Sequence, residues 1–89
     1  MEYITEKNRI YSKDSDGSII AEVTFPEVEC GIFNINHTFV DTSLRGKGVA
    51  GKLVELAVKQ IKAQGGKITA SCSYAQSWIA KYMNQKEEI

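Results

Sequence analysis

Hydrophobic and polar positions alternate through the first part of the chain. From Ser18 to Phe25, Ile19, Ala21, Val23 and Phe25 alternate with Ile20, Glu22 and Thr24, the period of a half-buried strand. Pro26-Glu27 breaks that run. Cys30 to Val40 then sets Ile32, Phe33, Ile35, Phe39 and Val40 among Asn34, Asn36, His37 and Thr38, which predicts one long central strand. Tyr3 to Glu6 and Arg9 to Ser12 read as shorter strands parted by Lys7-Asn8. Asp14-Ser15-Asp16-Gly17 signals a turn, because Asp and Ser side chains bond nearby backbone groups and Gly tolerates positive φ.

At Leu44 the period changes. Val49, Ala50, Leu53, Val54, Ala57, Val58 and Ile61 form an apolar stripe at helical spacing, and Lys52, Glu55, Lys59 and Lys62 form the opposite polar stripe. Such a helix lies on a sheet with one face wet, and Gly65-Gly66 stops it. Lys67 to Cys72 reads as a short strand, Tyr74 to Met83 as a second helix, and Asn84 to Ile89 as a polar tail. The order β-β-β-β-α-β-α predicts a mixed sheet covered by two helices.

Composition narrows the function classes. At 89 residues the chain fits a single domain over 1–89, and 43% hydrophobic and 25% charged residues suit a packed globule. Lys+Arg and Asp+Glu both number 11, so no broad positive field points to nucleic acid, and any anion site must be local. The apolar runs fall short of the ~18 to 20 residues that span a bilayer, and Met1 to Glu6 shows no signal pattern. The expectation is a cytoplasmic protein with no membrane partner. Cys30 and Cys72 lie far apart and form no CxxC pair, so no metal site is expected and the thiols are free.

Candidate chemistry concentrates at the strand-to-helix junction Phe39-Val40-Asp41-Thr42-Ser43-Leu44-Arg45-Gly46-Lys47-Gly48-Val49-Ala50-Gly51. First-turn N–H groups of a helix have no intrahelical acceptors and sit at the positive end of the macrodipole, so they bind phosphate. Gly46 and Gly48 leave room for its oxygens, and Ala50 and Gly51 keep the next turn small enough to pack near the sheet. A glycine-rich helix start can equally serve tight packing alone. The segment lacks the GxxxxGK[ST] of a P-loop, and Gly46-x-Gly48-x-x-Gly51 matches the letters of the dinucleotide-binding GxGxxG but lacks its βαβ unit and the acidic residue that ends a second strand.

With this context the segment resembles the GNAT superfamily of acetyl-CoA-dependent N-acyltransferases, whose signature is Arg/Gln-x-x-Gly-x-Gly/Ala after a V-x-P-x-x lead-in. Arg45, Gly48, Ala50 and Val40 match, while Thr42 replaces the lead-in proline. The chain is most similar to very short members with a strand end like His37-Thr38-Phe39-Val40 and a Cys-x-Tyr segment like Cys72-Ser73-Tyr74. The resemblance implies an α+β, GNAT-like mixed and mostly antiparallel sheet whose long strand splays from the strand after the helix. It implies acetyl-CoA as co-substrate, its pantetheine near Phe39 and Val40 and its pyrophosphate on Arg45, Gly46, Lys47, Gly48, Val49, Ala50 and Gly51, with Tyr74 alongside. A backbone N–H near Phe39 would polarise the thioester carbonyl.

Transfer to an amine needs the amine neutral, and general-base help typically contributes about 10² to 10⁴-fold. His37 is the single histidine, suited to be that base or to bond neighbouring strands. Cys72 falls beside the implied splay, where a thiol is a nucleophile, an acid for the departing thiolate, or a bystander. Longer GNAT members carry Asn, Ala and an acid tyrosine where this chain has Cys72, Ala75 and Ile79, so the tyrosine is missing. Trp78 and Tyr82 suit the core or the cofactor channel. The expected function is N-acetylation of an unidentified amine by a monomer or weak dimer, the alternative being a non-catalytic acyl-CoA-binding module.

Overall fold

The structure, a computed structural model, describes residues 2–83. Strands β1 (Ile4–Glu6), β2 (Arg9–Lys13) and β3 (Ile19–Thr24) form an antiparallel meander in which Ile10 faces Val23. Its second turn closes as the residue types predict. The Asp14 carboxylate accepts from the N–H groups of Asp16 and Ser18 at 2.9 and 3.0 Å, and Gly17 takes φ 85°.

The single strand expected over Cys30 to Val40 is divided, and a short strand before it went unpredicted. β4 (Glu27–Glu29) pairs with β5 (Ile32–Ile35), whereas β6 (His37–Val40) pairs with β3. The division falls at Asn36. On one side the Ile35 carbonyl accepts from both Ser71 and Cys72 at 3.2 Å, which ends the ladder to β7 (Lys67–Ala70). On the other side the Asn36 N–H donates to the Thr24 carbonyl at 3.2 Å, and the Thr24 hydroxyl donates to Asn36 Oδ1 at 2.6 Å. The chain thus changes partner within one residue. Two sheets result, ordered β1-β2-β3-β6 and β4-β5-β7, and the β5–β7 pair is parallel in an otherwise antiparallel architecture.

Helix α1 (Val49–Ala63) covers the sheets. Its Leu53, Val54, Ala57 and Ile61 are fully buried against Ile10, Ala21, Val23, Phe25 and Ile35. Burial of each large apolar side chain contributes about 1.5 to 3 kcal/mol, so this stripe holds the layers together. On the wet face Glu55 pairs with Lys52 and Lys59 at 3.4 and 3.7 Å. Such exposed pairs contribute little. The helix ends in a Schellman motif: the N–H groups of Gly65 and Gly66 donate to the carbonyls of Lys62 and Ile61 at 2.9 and 3.0 Å. A Cβ on Gly66 would stand 2.6 Å from the Phe33 ring, so this stop signal also lets β7 start against β5.

The second helix runs as α2 (Ser73–Trp78) and widens into a π turn over Ile79–Met83. The polar tail Asn84 to Ile89 lies outside the described residues.

Candidate active site

Division at Asn36 leaves one edge of β6 without a strand partner among the described residues, because β6 ends its sheet as β7 ends the other. Two peptide edges diverge there, one from Thr38 onward and one from Cys72 onward. Across this gap Cys72 Sγ lies 3.7 Å from Thr38 Oγ1. Cys72 is the N-cap of α2, so its side chain sits at the helix end that presents the N–H groups of Tyr74 and Ala75. Burial pushes the Cys72 thiol up, but the backbone N–H of Ala75, the Thr38 hydroxyl and the N–H groups of Tyr74 and Thr38 together outweigh it. The thiol's pKa therefore falls below its ordinary value.

β6 leads into a 3-10 turn, Thr42–Leu44. The Asp41 carboxylate caps it, accepting from Ser43 Oγ and N at 2.6 and 3.0 Å, and the Ser43 hydroxyl first, then its N–H, hold the Asp41 carboxyl below its usual range. The turn is pinned to the sheet by the Asp41 N–H on the Ile20 carbonyl at 2.8 Å. Gly46 and Gly48 follow with φ 82° and 73°, and Gly48 is the N-cap of α1. A Cβ built on either meets nothing within 4 Å, so their glycines are required by left-handed backbone and not by crowding. Lys52 makes the first intrahelical bond, to the Gly48 carbonyl at 3.1 Å, which leaves the N–H groups of Val49, Ala50 and Gly51 outward and unpaired at the positive helix end. Gly51 plays a different part from the one its sequence suggests. Its Cα faces α2 and not the sheet, and a Cβ there would lie 3.3 Å from the Tyr74 hydroxyl.

The β6 edge, the turn and Tyr74 enclose a cleft of about 650 Å³. It joins a groove of about 1020 Å³ between α1 and α2 through Gly48, Gly51 and Tyr74. Lys59, Lys62 and Lys81 line the groove with Trp78 and Tyr82, whose ring centroids are 5.0 Å apart.

The sequence pattern of the GCN5-related N-acetyltransferase family matches residues 9–88. The chain belongs to this family. It is 36% identical to a GCN5-like protein from Staphylococcus aureus over 98% of this chain and 80% of that one, with a TM-score of 0.67. An IAA acetyltransferase from Bacillus cereus is 26% identical over 82% of this chain and 51% of its own, with a TM-score of 0.64. Glucosamine-6-phosphate N-acetyltransferase from Arabidopsis thaliana is 26% identical over 75% and 52%, with a TM-score of 0.56. The chain spans about half the length of the last two. No curated protein matches it.

Within this N-acetyltransferase domain, Phe39, Val40, Arg45, Gly46, Gly48, Val49, Ala50, Gly51 and Tyr74 all border the cleft. Lys47 does not line it, and the Val49 side chain is buried in the core, so the backbone is what Val49 offers. Trp78 is half-buried against the core and also walls the groove, which meets both readings of that residue. His37 and Cys72 are not brought together. Strand alternation puts Thr38 on the side of Cys72, whereas His37 points to the opposite face, its Nε2 3.8 Å from Glu22 Oε1. Thr38 and Glu22 were not singled out in the sequence. Each is a polar strand position whose partner comes from a distant segment, which periodicity does not reveal.

The cleft fits the co-substrate its family uses. Outward N–H groups of Val49, Ala50 and Gly51 beside Arg45 suit a pyrophosphate, and the unpaired peptide edge of β6 suits the amides of a pantetheine arm. Among the described residues no group of His, Cys, Asp or Glu has the arrangement of a metal site, and no helix is long and apolar enough to cross a membrane.

Proposed function

We propose that this domain transfers an acetyl group from acetyl-CoA to an amine, and that Cys72 carries the chemistry, His37 lying on the opposite face of β6. The observation behind the reading is the unpaired β6 edge that runs from Thr38, beside the Cys72 thiol, to the amide-lined turn at Gly48. Acetyl-CoA supplies an acetyl thioester when bound. Val49, Ala50, Gly51 and Arg45 hold its pyrophosphate, and the basic aromatic groove of Lys59, Lys62 and Trp78 takes the nucleotide end. A β6 N–H near Phe39 polarises the carbonyl.

A Cys72 thiol held below its ordinary pKa suits a nucleophile better than a proton donor. Its sulfur forms a bond to the acetyl carbon as the original carbon–sulfur bond breaks and a thiolate departs. The amine then forms the carbon–nitrogen bond, Cys72 leaves as thiolate, and the amine proton passes to solvent. The absent tyrosine acid at Ile79 is consistent with this route, in which Cys72 needs no proton to give.

Calorimetric titration with acetyl-CoA tests the ligand. Binding is expected, and no heat at about 1 mM ligand sinks the proposal, since that corresponds to less than about 4 kcal/mol of affinity. Intact-protein mass spectrometry after exposure to acetyl-CoA tests the thiol: an acetyl adduct lost in Cys72→Ala supports the covalent route. Tight binding with no turnover of any amine returns the non-catalytic module.

A further inference from the structure

Two aromatic side chains of α2 bring their polar ends onto the first turn of α1. A Cβ built on Gly51 would stand 3.3 Å from the Tyr74 hydroxyl and 3.8 Å from Trp78 Nε1. Unlike Gly46 and Gly48, Gly51 takes no left-handed backbone, and it lies inside the helix, where glycine is a poor former. Neither backbone conformation nor helix propensity therefore accounts for a glycine here. The close approach of an O–H and an N–H does.

Burial does not hold these donors in place. Tyr74 is 43% exposed, and Trp78 is only half-buried. The side-chain hydrogen bond of α2 runs from Gln76 Nε2 to the Ala70 carbonyl at 3.0 Å, and among the described residues no acceptor meets the Tyr74 hydroxyl or Trp78 Nε1. Tyrosine and tryptophan donors packed against protein ordinarily find a partner. The spot they face is also the joint of the two cavities. Gly48, Gly51 and Tyr74 border both the cleft and the groove, Arg45 borders the cleft, and Trp78 walls the groove. The outward N–H groups of Val49, Ala50 and Gly51 belong to the same helix turn, so an anion seated at the joint meets donors from both helices.

We infer that the Tyr74 hydroxyl and the Trp78 indole N–H are side-chain ligands of the co-substrate's diphosphate, closing on it from α2 while the α1 amides hold it from the other side, and that Gly51 keeps the space this clamp needs. The clamp rests on the reading of the cleft as the acetyl-CoA site. The diphosphate spans the bend between the cleft, which takes the pantetheine arm, and the groove, which takes the nucleotide. Hydrogen bonds to phosphate oxygens are charge-assisted and stronger than those between neutral groups, so two added donors act on affinity. A side chain at position 51 would push the Tyr74 hydroxyl out of the joint.

Trp78 is the single tryptophan of the chain, so its emission reports on the joint directly. CoA titrated into the full-length protein should change that emission. Tyr74→Phe keeps the ring and removes the hydroxyl, and should raise the dissociation constant about 10-fold. At saturating CoA, phosphorus NMR resolves the diphosphate from the 3′-phosphate. The bound diphosphate resonances should differ between the parent and Tyr74→Phe, and the 3′-phosphate resonance should not. Gly51→Ala should also weaken CoA while its Tm holds or rises, since alanine favours the helix and the exposed Tyr74 side chain can swing aside. A packing role alone would instead lower Tm and spare CoA. A dissociation constant within about 2-fold of the parent in Tyr74→Phe overturns the inference and leaves the acetyl-CoA reading standing. So does a change confined to the 3′-phosphate resonance, or a Gly51→Ala protein with lowered Tm and unweakened CoA binding. No CoA binding by the unsubstituted protein, by calorimetry as well as by emission, overturns the acetyl-CoA reading and this inference with it.

Discussion

The sulfur of Cys72 lies 3.7 Å from the hydroxyl oxygen of Thr38, across the point where β6 parts from β7. Two segments more than 30 residues apart thereby share one polar contact inside the splay. Burial works against the thiolate there, and the Ala75 N–H, the Thr38 hydroxyl and two further N–H groups overcome it. Alkylation by iodoacetamide, followed against pH in a Cys30→Ser background, should therefore have its midpoint below that of a free cysteine. Thr38→Val removes one of the donors and should raise the midpoint. A rise of half a pH unit slows the reaction near neutral pH about 3-fold, since the thiolate fraction changes tenfold per unit. An unchanged midpoint in Thr38→Val would show that the contact does not act on the thiol.

Gly48→Ala should cost about 1 to 2 kcal/mol of stability in chemical denaturation, the penalty of a side chain in left-handed backbone. The new methyl meets nothing within 4 Å, so strain and not crowding sets that loss. Acetyl-CoA binding by calorimetry should weaken as well, because the N-cap position orients the outward amides of Val49 and Ala50.

Gly66→Ala is expected to destabilise for the opposite reason. Its backbone is ordinary, but the methyl would stand 2.6 Å from Phe33. Overpacking of this kind costs about 1 to 3 kcal/mol. The companion Gly66→Ala/Phe33→Leu double variant should recover part of the loss, which urea denaturation would measure. Additive losses would rule out the clash.

Leu53→Ala empties a fully buried position in the stripe of α1. Truncations of this type cost about 2 to 5 kcal/mol. In a domain of this size each kcal/mol lowers Tm by about 4 to 8 °C, so differential scanning calorimetry should show a large drop. A loss below 1 kcal/mol would mean the site collapses around the smaller side chain.

Much of the architecture was legible before any coordinates. The stripe from Val49 to Ile61 became the buried face of α1, the alternation of Ala21, Val23 and Phe25 became the buried face of β3, and Gly65-Gly66 ended the helix. These readings hold because burial acts on local periodicity, which a sequence displays directly. The division at Asn36 was hidden, since Ile35, Asn36 and His37 all suit an extended chain. Only the competition for hydrogen bonds between Thr24 on one side and Ser71 and Cys72 on the other makes the strand change partners.

The sequence by itself determined the element types, the core stripe and the glycine-rich helix start, because each depends on neighbours within a few residues. Tertiary structure alone decided which polar groups meet. It set Cys72 against Thr38, turned His37 away from Cys72 toward Glu22, and faced Gly51 with Tyr74. Those pairings depend on strand register and on the angle at which α2 leaves the sheet, and both are fixed by packing between segments far apart in the chain.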